Sequence, residues 1–547
     1  MTAPSYTTNL STLDQAESNT NWVEFTGTST NGYDYNIHGS PQGADADWPY
    51  IQNTYAVTQT CTSTKSGYGS LGYDNGSSIG GHGTDGAYLV WQLFANPNYY
   101  SYANDGLQVV IGDAVGSFYA WTVGGNDVGV GLYLGWQCHA VNTSVTQDDD
   151  CGTYAGSNEE IVGAAVRTTT GIGKGEPHAV DVIRYGRCDA VFEYGDASNG
   201  YCTIDGFATQ NDSINNRWGL IQKVPGGYLW QGLMSLGTSS NAVDFRDSNR
   251  IIFIKWCPKV TTNFNTIEVD NASSRVDMTN FQFIQLDTTT ASDGRWVTTA
   301  DADINLESCS FQDMGTFSFD SNTVANNCVW TRCGQIDTEG ADLSGSSVLA
   351  STVAADSGAV KWDENLDPGT SGNLDDMTFT IGGNAHHAIE FGDTIPSSMT
   401  IDGLTCTGFS SSDNANDSTF YFADTTGTFT LNLTNFSGNA TYKSAGCTVN
   451  IVTGAVTVQA TITDTVGTEI ENALVYLQAD AKSSGTATTD TTDKLVDTNA
   501  TFQTDGVAIG DTAFNQTDGT AASVTAVDSQ TSLSLSSDNF PDGNENY

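Results

Sequence analysis

The chain has 547 residues, 38% of them hydrophobic, with 18 Lys and Arg against 64 Asp and Glu and a formal net charge of −46. A surface so negative repels phosphate backbones and anionic headgroups, which excludes nucleic acid as a partner and any electrostatic hold on a membrane. Its length asks for two to four domains.

Gly, Ser, Thr, Asn and Asp abound while helix formers are scarce, so the fold class expected is all-β. The opening "MTAPSYTTNL" lacks the basic start and apolar run of a signal peptide, and purely apolar runs such as "IIFI" and "GAAV" are too short to cross a bilayer. The expectation is a protein made in the cytoplasm, without membrane insertion. Its eleven cysteines are an odd set without a C-x-x-C pair or a zinc-site spacing, so buried, reduced thiols are expected. Cys138/Cys151 and Cys188/Cys202 are the pairs that could bridge.

Residues 1–30 are polar and patternless, as in an N-terminal arm. Over 31–190 the chain turns aromatic and glycine-rich. "GAYLVWQLFANPN" (86–98), "DGLQVVIGDAVGSFYAWTVGGND" (105–127), "GLYLGWQCHAV" (131–141) and "HAVDVIRYG" (178–186) alternate apolar and polar residues between turn signals. Antiparallel strands at this spacing predict a jelly-roll-like sandwich.

Over 191–453 the rhythm changes to apolar residues at i, i+3 and i+5: Met278/Phe281/Phe283, Leu306/Cys309/Phe311, Leu374/Met377/Phe379 and Ile401/Leu404/Cys406. Weaker copies surround Cys328/Trp330 and Thr434/Phe436. Earlier candidates are "CTIDGFATQ" (202–210), "LMSLG" (233–237) and "NRIIFIKW" (249–256). A repeat of roughly 20–30 residues with one strand-like core and polar turns predicts a solenoid, here a right-handed parallel β-helix. "INLESCSFQDMG" and "VANNCVWTRCG" would then stack Cys309 on Cys328, Phe311 on Trp330 and Met314 on Cys333. Gly315 and Gly334 would share a corner where a positive φ is wanted.

Residues 454–547 shift again. "VTVQATITDTVGTEIENALVYLQAD" (456–480) reads as strands of an immunoglobulin-like sandwich, too few to close it. A small β module follows, with Leu495, Phe502, Val507, Ile509, Val524, Val527, Leu533 and Leu535 as its expected core.

"LVWQLF", "GLQVVIGD…FYAWTVGGND", "GWQCHAV", "DVIRYGRCDAVFEYGD" and "FRDSNRIIFI" together resemble a family of β-helical structural proteins of tailed bacteriophages, common in marine phages, over residues 80–440. The stretch "DKLVDTNATFQTDG…VTAVDSQTSLSLSSDNF" looks like a small module that recurs in virion proteins. The resemblance implies a virion component of tail, fibre or appendage, or capsid-decoration type, and no catalytic residue. The expected partners are further copies of the chain, as a trimer, and other virion proteins, with a host-surface glycan as a candidate ligand.

Two other functions have residues to argue from. A polysaccharide depolymerase needs two carboxylates facing across a cleft, and "DDD" at 148–150, Glu159/Glu160, "DAD" at 301–303 and Asp375/Asp376 are available. With 64 acids such neighbours are expected by chance. A cellular adhesion protein fits the sandwich and the acidity, but not the missing signal peptide. His386 and His387 would point to opposite faces of a strand and are expected on the surface or in a loop. "GIGKGEP" (171–177) lacks the strand–loop–helix setting of a phosphate cradle, and the aromatics of "NPNYYSY" (96–102) suit packing before sugar stacking. No catalytic, cofactor or metal residue is assigned and no cofactor is expected.

Overall fold

In the computed structural model, which describes residues 2–16, 18–35, 41–45, 56–60, 67–80, 86–94, 106–124, 135–168, 177–210, 218–261, 263–286, 294–299, 301–455 and 482–547, the chain is all-β. Its contacts divide it into two units, Met1–Thr457 and Val458–Tyr547.

The glycine-rich N-terminal part forms two antiparallel sheets. One runs Gly135–Val141, Gly86–Phe94, Pro177–Arg187, Ala56–Thr60, Gln42–Asp45. The other runs Asp149–Cys151, Ser117–Gly124, Leu107–Ala114, Ile161–Thr168, Gly67–Asp74, Trp22–Val23. Strand alternation decides which side chains meet between them. Tyr88 and Val90 of the first sheet are fully buried with Val109, Ile111, Trp121 and Val162 of the second. The intervening Leu89 and Trp91 face away and join Cys138, Cys188, Leu220 and Trp230 in a second core, which continues through the parallel strands that follow.

Residues 1–30 are not a loose arm. Ser5–Thr7 pairs with Asp189–Glu193, Leu10–Asp14 with Pro177–Arg187, and Trp22–Val23 with Gly67–Asp74. Backbone pairing leaves little trace in a polar sequence, and the anchors are few: Leu10, Trp22 and Phe25 are buried, and Asn9 donates to the Asp189 carboxylate.

From Asp189 the pairing turns parallel, and each short strand pairs with its counterpart one circuit earlier. The first parallel sheet takes Asp189–Glu193, Leu233–Leu236, Thr266–Val269, Arg295–Thr298, Phe317–Ser318, Ile336–Asp337, Gly358–Trp362, His387–Phe391, Phe420–Phe422 and Tyr442–Ser444. The second takes Gly227–Trp230, Ile251–Ile254, Gln282–Gln285, Ser310–Gln312, Val329–Thr331, Ser347–Leu349, Thr378–Thr380 and Thr405–Thr407. Between them in chain order lie Asp244–Ser248, Arg275–Thr279, Asp303–Glu307 and Thr323–Asn326, and later Ser398–Asp402, Thr428–Thr434 and Thr448–Ala455.

Parallel pairing in register turns inward positions into ladders. In the second sheet Ile252, Phe283, Phe311, Trp330, Val348, Phe379 and Cys406 are successive partners. Phe283 stacks on Phe311 at 5.4 Å and 7°, and Phe311 on Trp330 at 5.5 Å and 15°. Met234, Ile267, Trp296, Phe317, Ile336, Val360, Ile389 and Phe420 form the ladder of the first sheet. The circuits differ in length: 19 residues separate Phe311 from Trp330, and 31 separate Val348 from Phe379.

The corner before the second sheet repeats one backbone conformation. Asn249, Asn280, Ser308, Asn327, Asp376 and Asn435 all have φ between 49° and 57°, with Gly345 and Gly403 at the equivalent places. Asn, Asp and Gly tolerate this left-handed region best. The next residue turns inward, which buries Phe281, Cys309, Cys328, Ser346, Met377 and Leu404. Gly315 and Gly334 do stack, but neither has a positive φ. Their requirement is close approach, since a Cβ on Gly334 would lie 2.9 Å from the Gly315 carbonyl carbon. "CTIDGFATQ" is not a strand repeat: Ile204–Ala208 is a short helix, capped by Thr203 Oγ1, which accepts from Gly206 N.

In the C-terminal unit Lys494–Val496, Ser532–Leu535, Thr520–Ser529 and Thr512–Asn515 pair antiparallel in that order. Leu495, Phe502, Val524, Leu533 and Leu535 are buried, with Val507 and Val527 at the margin. Ile509 is 72% exposed, because it sits in the turn that Asp511 closes by accepting from Ala508 N. Phe540 and Tyr547 complete the core instead. The strands expected within 456–480 lie outside the described residues.

Candidate functional site

At the corner that follows the second parallel sheet the surface recedes. Gly315 and Gly334 present no side chain there, and with Thr316, Gln335, Thr352 and Ser357 they line a cleft of about 370 Å³. Gln335 Nε2 donates to Gly358 O (3.0 Å) and to Glu390 Oε2 (2.8 Å), which fixes the amide across two circuits. The lining offers hydroxyls, the amides of Asn263 and Gln335 and backbone groups. It can hydrogen-bond a ligand, and among the described residues that line it none is a carboxylate, a histidine or a lysine.

The carboxylates read from the sequence are scattered over the fold and mostly engaged. Asp148 accepts from Thr122 N (2.6 Å) and pairs with Lys259 Nζ (2.6 Å). Asp149 is buried and accepts from Tyr35 Oη (3.3 Å), and Asp150 accepts from Thr30 Oγ1. Glu159 is buried near Tyr88 and Tyr154, whose hydroxyls are raised first by burial and then by the Glu159 charge. Glu160 accepts from Asn158 Nδ2 (2.9 Å). Asp303 lies 3.7 Å from Arg275, while Asp301 uses its carbonyl to accept from Asn322 Nδ2 (3.2 Å). Asp375 Oδ1 accepts from Asp402 N (2.9 Å). Burial raises its pKa, and the charges of Asp402, Asp376 and Asp342 add to the rise against the pull of that hydrogen bond.

His386 and His387 are buried, not on the surface. His387 stacks on Tyr421 (5.2 Å, 17°) with Nδ1 2.6 Å from Ser418 O, and His386 meets the Phe409 ring edge-on with Nδ1 2.9 Å from Asn384 O. Burial lowers the pKa of both, so both are neutral near pH 7. Their hydrophobic setting comes from neighbouring circuits, which local sequence does not display.

The ten described cysteines are free and buried. Cys138 and Cys151 lie in different cores. Cys188 is raised by burial and then by its neighbour Cys138, while the Cys202 thiol turns to Glu193 O (3.3 Å). "NPNYYSY" and "GIGKGEP", up to Pro177, lie outside the described residues.

A polar row escaped the sequence reading. Asp337, Lys361, Glu390, Tyr421 and Lys443 are successive partners in the first parallel sheet, each directly after an inward residue. Lys361 Nζ lies 3.1 Å from Asp337 and 3.7 Å from Asp363, and Lys443 pairs with Asp356. Burial works against the Lys361 charge, but Asp337, Asp363 and Glu390 outweigh it and raise its pKa. The signal was available from Ile336 onward, in the position after each first-sheet ladder residue. Among the described residues no group of three His, Cys, Asp or Glu side chains is placed to hold a metal, and no helix is long and apolar enough to cross a membrane.

No family model and no curated protein matches the chain. Among solved structures it is similar to a family 11 carbohydrate-binding module from Clostridium thermocellum, with TM-score 0.20 and 13% identity over 34% of this chain and 97% of that one. It is also similar to the catalytic domain of a GH87 α-1,3-glucanase (TM-score 0.18, 10% identity, 82% and 99% covered). A third is an exo-β-agarase (TM-score 0.17, 11% identity, 38% and 26% covered). At such scores these likenesses carry no argument about this chain.

Proposed function

We propose that the chain is a non-enzymatic structural component of a tailed-phage particle, serving in a tail, fibre or appendage or as a capsid decoration. In this reading residues 31–190 are a jelly roll, 191–453 a right-handed parallel β-helix, and 454–547 immunoglobulin-like strands with a small β module. The observation that carries it is the inward ladder running without a break from Ile252 to Cys406. A stack of that kind pairs the backbone groups of each circuit with the next and leaves few open edges, which suits endurance.

Further support comes from the order of the long antiparallel strands, which cross between two facing sheets at each step except the Leu107–Ala114/Ser117–Gly124 hairpin, as in a jelly roll. A cleft lined by groups that bind without titrating favours adhesion over turnover. The phage setting rests on the resemblance of residues 80–440. Copies of the chain assemble as a trimer alongside other virion proteins, and the outside ligand is a host-surface glycan.

Mass spectrometry of purified, washed particles tests this, together with the solution mass of the isolated chain. The chain is expected at a fixed copy number per particle and at three times its 57.9 kDa in solution. Its absence from particles overturns the proposal. Release of reducing ends from a polysaccharide panel, abolished by replacing one acid pair, would put a depolymerase in its place.

A further inference from the structure

Cys309 and Cys328 occupy one register position in neighbouring circuits. Each follows a left-handed corner residue, Ser308 and Asn327, both at φ 55°, so the two Cα–Cβ bonds leave the backbone in the same way. Val329 N donates to Cys309 O (2.9 Å), which locks the register between them. Paired strands run about 4.8 Å apart, inside the Cα separation of about 4.4–6.8 Å that a disulfide spans. A slight tilt of the two side chains toward each other brings the Cβ atoms into its range of about 3.5–4.5 Å. Both thiols are buried, Cys309 at 1% and Cys328 at 0% exposure. Their hydrogens have weak acceptors in Met278 O (3.4 Å) and Leu306 O (3.3 Å). As register neighbours the two thiols also act on each other, which lowers the pKa of Cys309 and raises that of Cys328. The other sulfur positions nearby differ: Cys406 has Phe379 as its partner, and Cys333 lies against Met314.

We propose that Cys309 and Cys328 are a modification site, a cross-circuit disulfide closed by a low-molecular-weight disulfide such as oxidised glutathione while the two circuits dock. The Cys309 thiolate attacks the reagent, its S–S bond breaks, and one glutathione thiolate leaves with a mixed disulfide on Cys309. Cys328, after losing its proton to solvent, attacks the Cys309 sulfur, and the second glutathione leaves. Two protein thiols are oxidised by two electrons and one glutathione disulfide is reduced to two thiols. Closure belongs to folding, because the finished stack shields both sulfurs. The same burial then protects the bond from reductants.

The test refolds the full chain from denaturant in reduced and oxidised glutathione, quenches it with acid, alkylates free thiols and maps linked peptides without reduction. The expected result is nine free thiols of the eleven, one peptide pair joining residues 309 and 328, and a higher unfolding temperature than the same chain refolded in reduced glutathione alone. C309S should keep all its remaining thiols and show no such difference between the two buffers. The comparison of the two wild-type preparations stands even where the variant fails to fold. A folded chain with all eleven thiols free, or linkage between other cysteines in place of this pair, overturns the proposal.

Discussion

Asn327 sits where the backbone must enter the left-handed region, and its side chain donates to Glu307 Oε1 (3.2 Å) in the circuit before. A β-branched residue cannot take that φ without strain, so N327V should cost about 1–3 kcal/mol in urea unfolding. N327G should lose far less, since glycine takes the angle freely. Equal losses would mean that the hydrogen bond, not the backbone angle, sets the residue. Asp375 supplies a charge counterpart. Its carboxyl is held above its ordinary range first by burial, with the charges of Asp402, Asp376 and Asp342 adding to the effect. A carboxyl whose pKa is higher folded than unfolded favours the native state when protonated and burdens it when ionised. D375N keeps an oxygen for the Asp402 amide, so it should melt at a higher temperature than the parent at pH 7. That advantage should shrink as pH falls through the folded pKa of Asp375. An advantage unchanged in acid would assign the effect to something other than the carboxylate.

The ladders explain why single strands as short as two or three residues persist. Phe317–Ser318 and Ile336–Asp337 could not hold alone, but each is one rung between partners above and below. Trp330 is fully buried between Phe311 and Val348, so W330A should cost about 3–5 kcal/mol through lost burial and the cavity left behind. Full-length unfolding in denaturant measures it, and a loss below 1 kcal/mol would show that the rungs do not depend on one another. At this scale the sequence was readable where burial follows a local rule. Leu306, Cys309 and Phe311 announce three inward positions, and Met278, Phe281 and Phe283 repeat them. It was unreadable where the partner is distant. Nothing around Ser5–Thr7 signals Asp189–Glu193, and nothing around His387 signals Tyr421 in the next circuit. "CTIDGFATQ" misled because a capped single helical turn and a strand can share one apolar spacing.

Across the molecule, the all-β class was legible from composition, and the change from antiparallel to parallel pairing was legible as a change of apolar rhythm. The cleft was not, since it arises from two glycines meeting across circuits and from hydroxyls that look like ordinary turn residues. The acid pairs drew attention because they are adjacent in the sequence. In the fold Asp148 accepts from a strand amide and pairs with Lys259, and Asp375 accepts from the amide of Asp402 in the next circuit. The unequal circuits carry a last implication. Val348 and Phe379 keep their partnership although the path between them is much longer than the one joining Phe311 to Trp330. Extra residues are taken up by the connections, and the stack does not register them. The exterior of such a chain is free to drift, lengthen and acquire new specificities while the interior stays as it was.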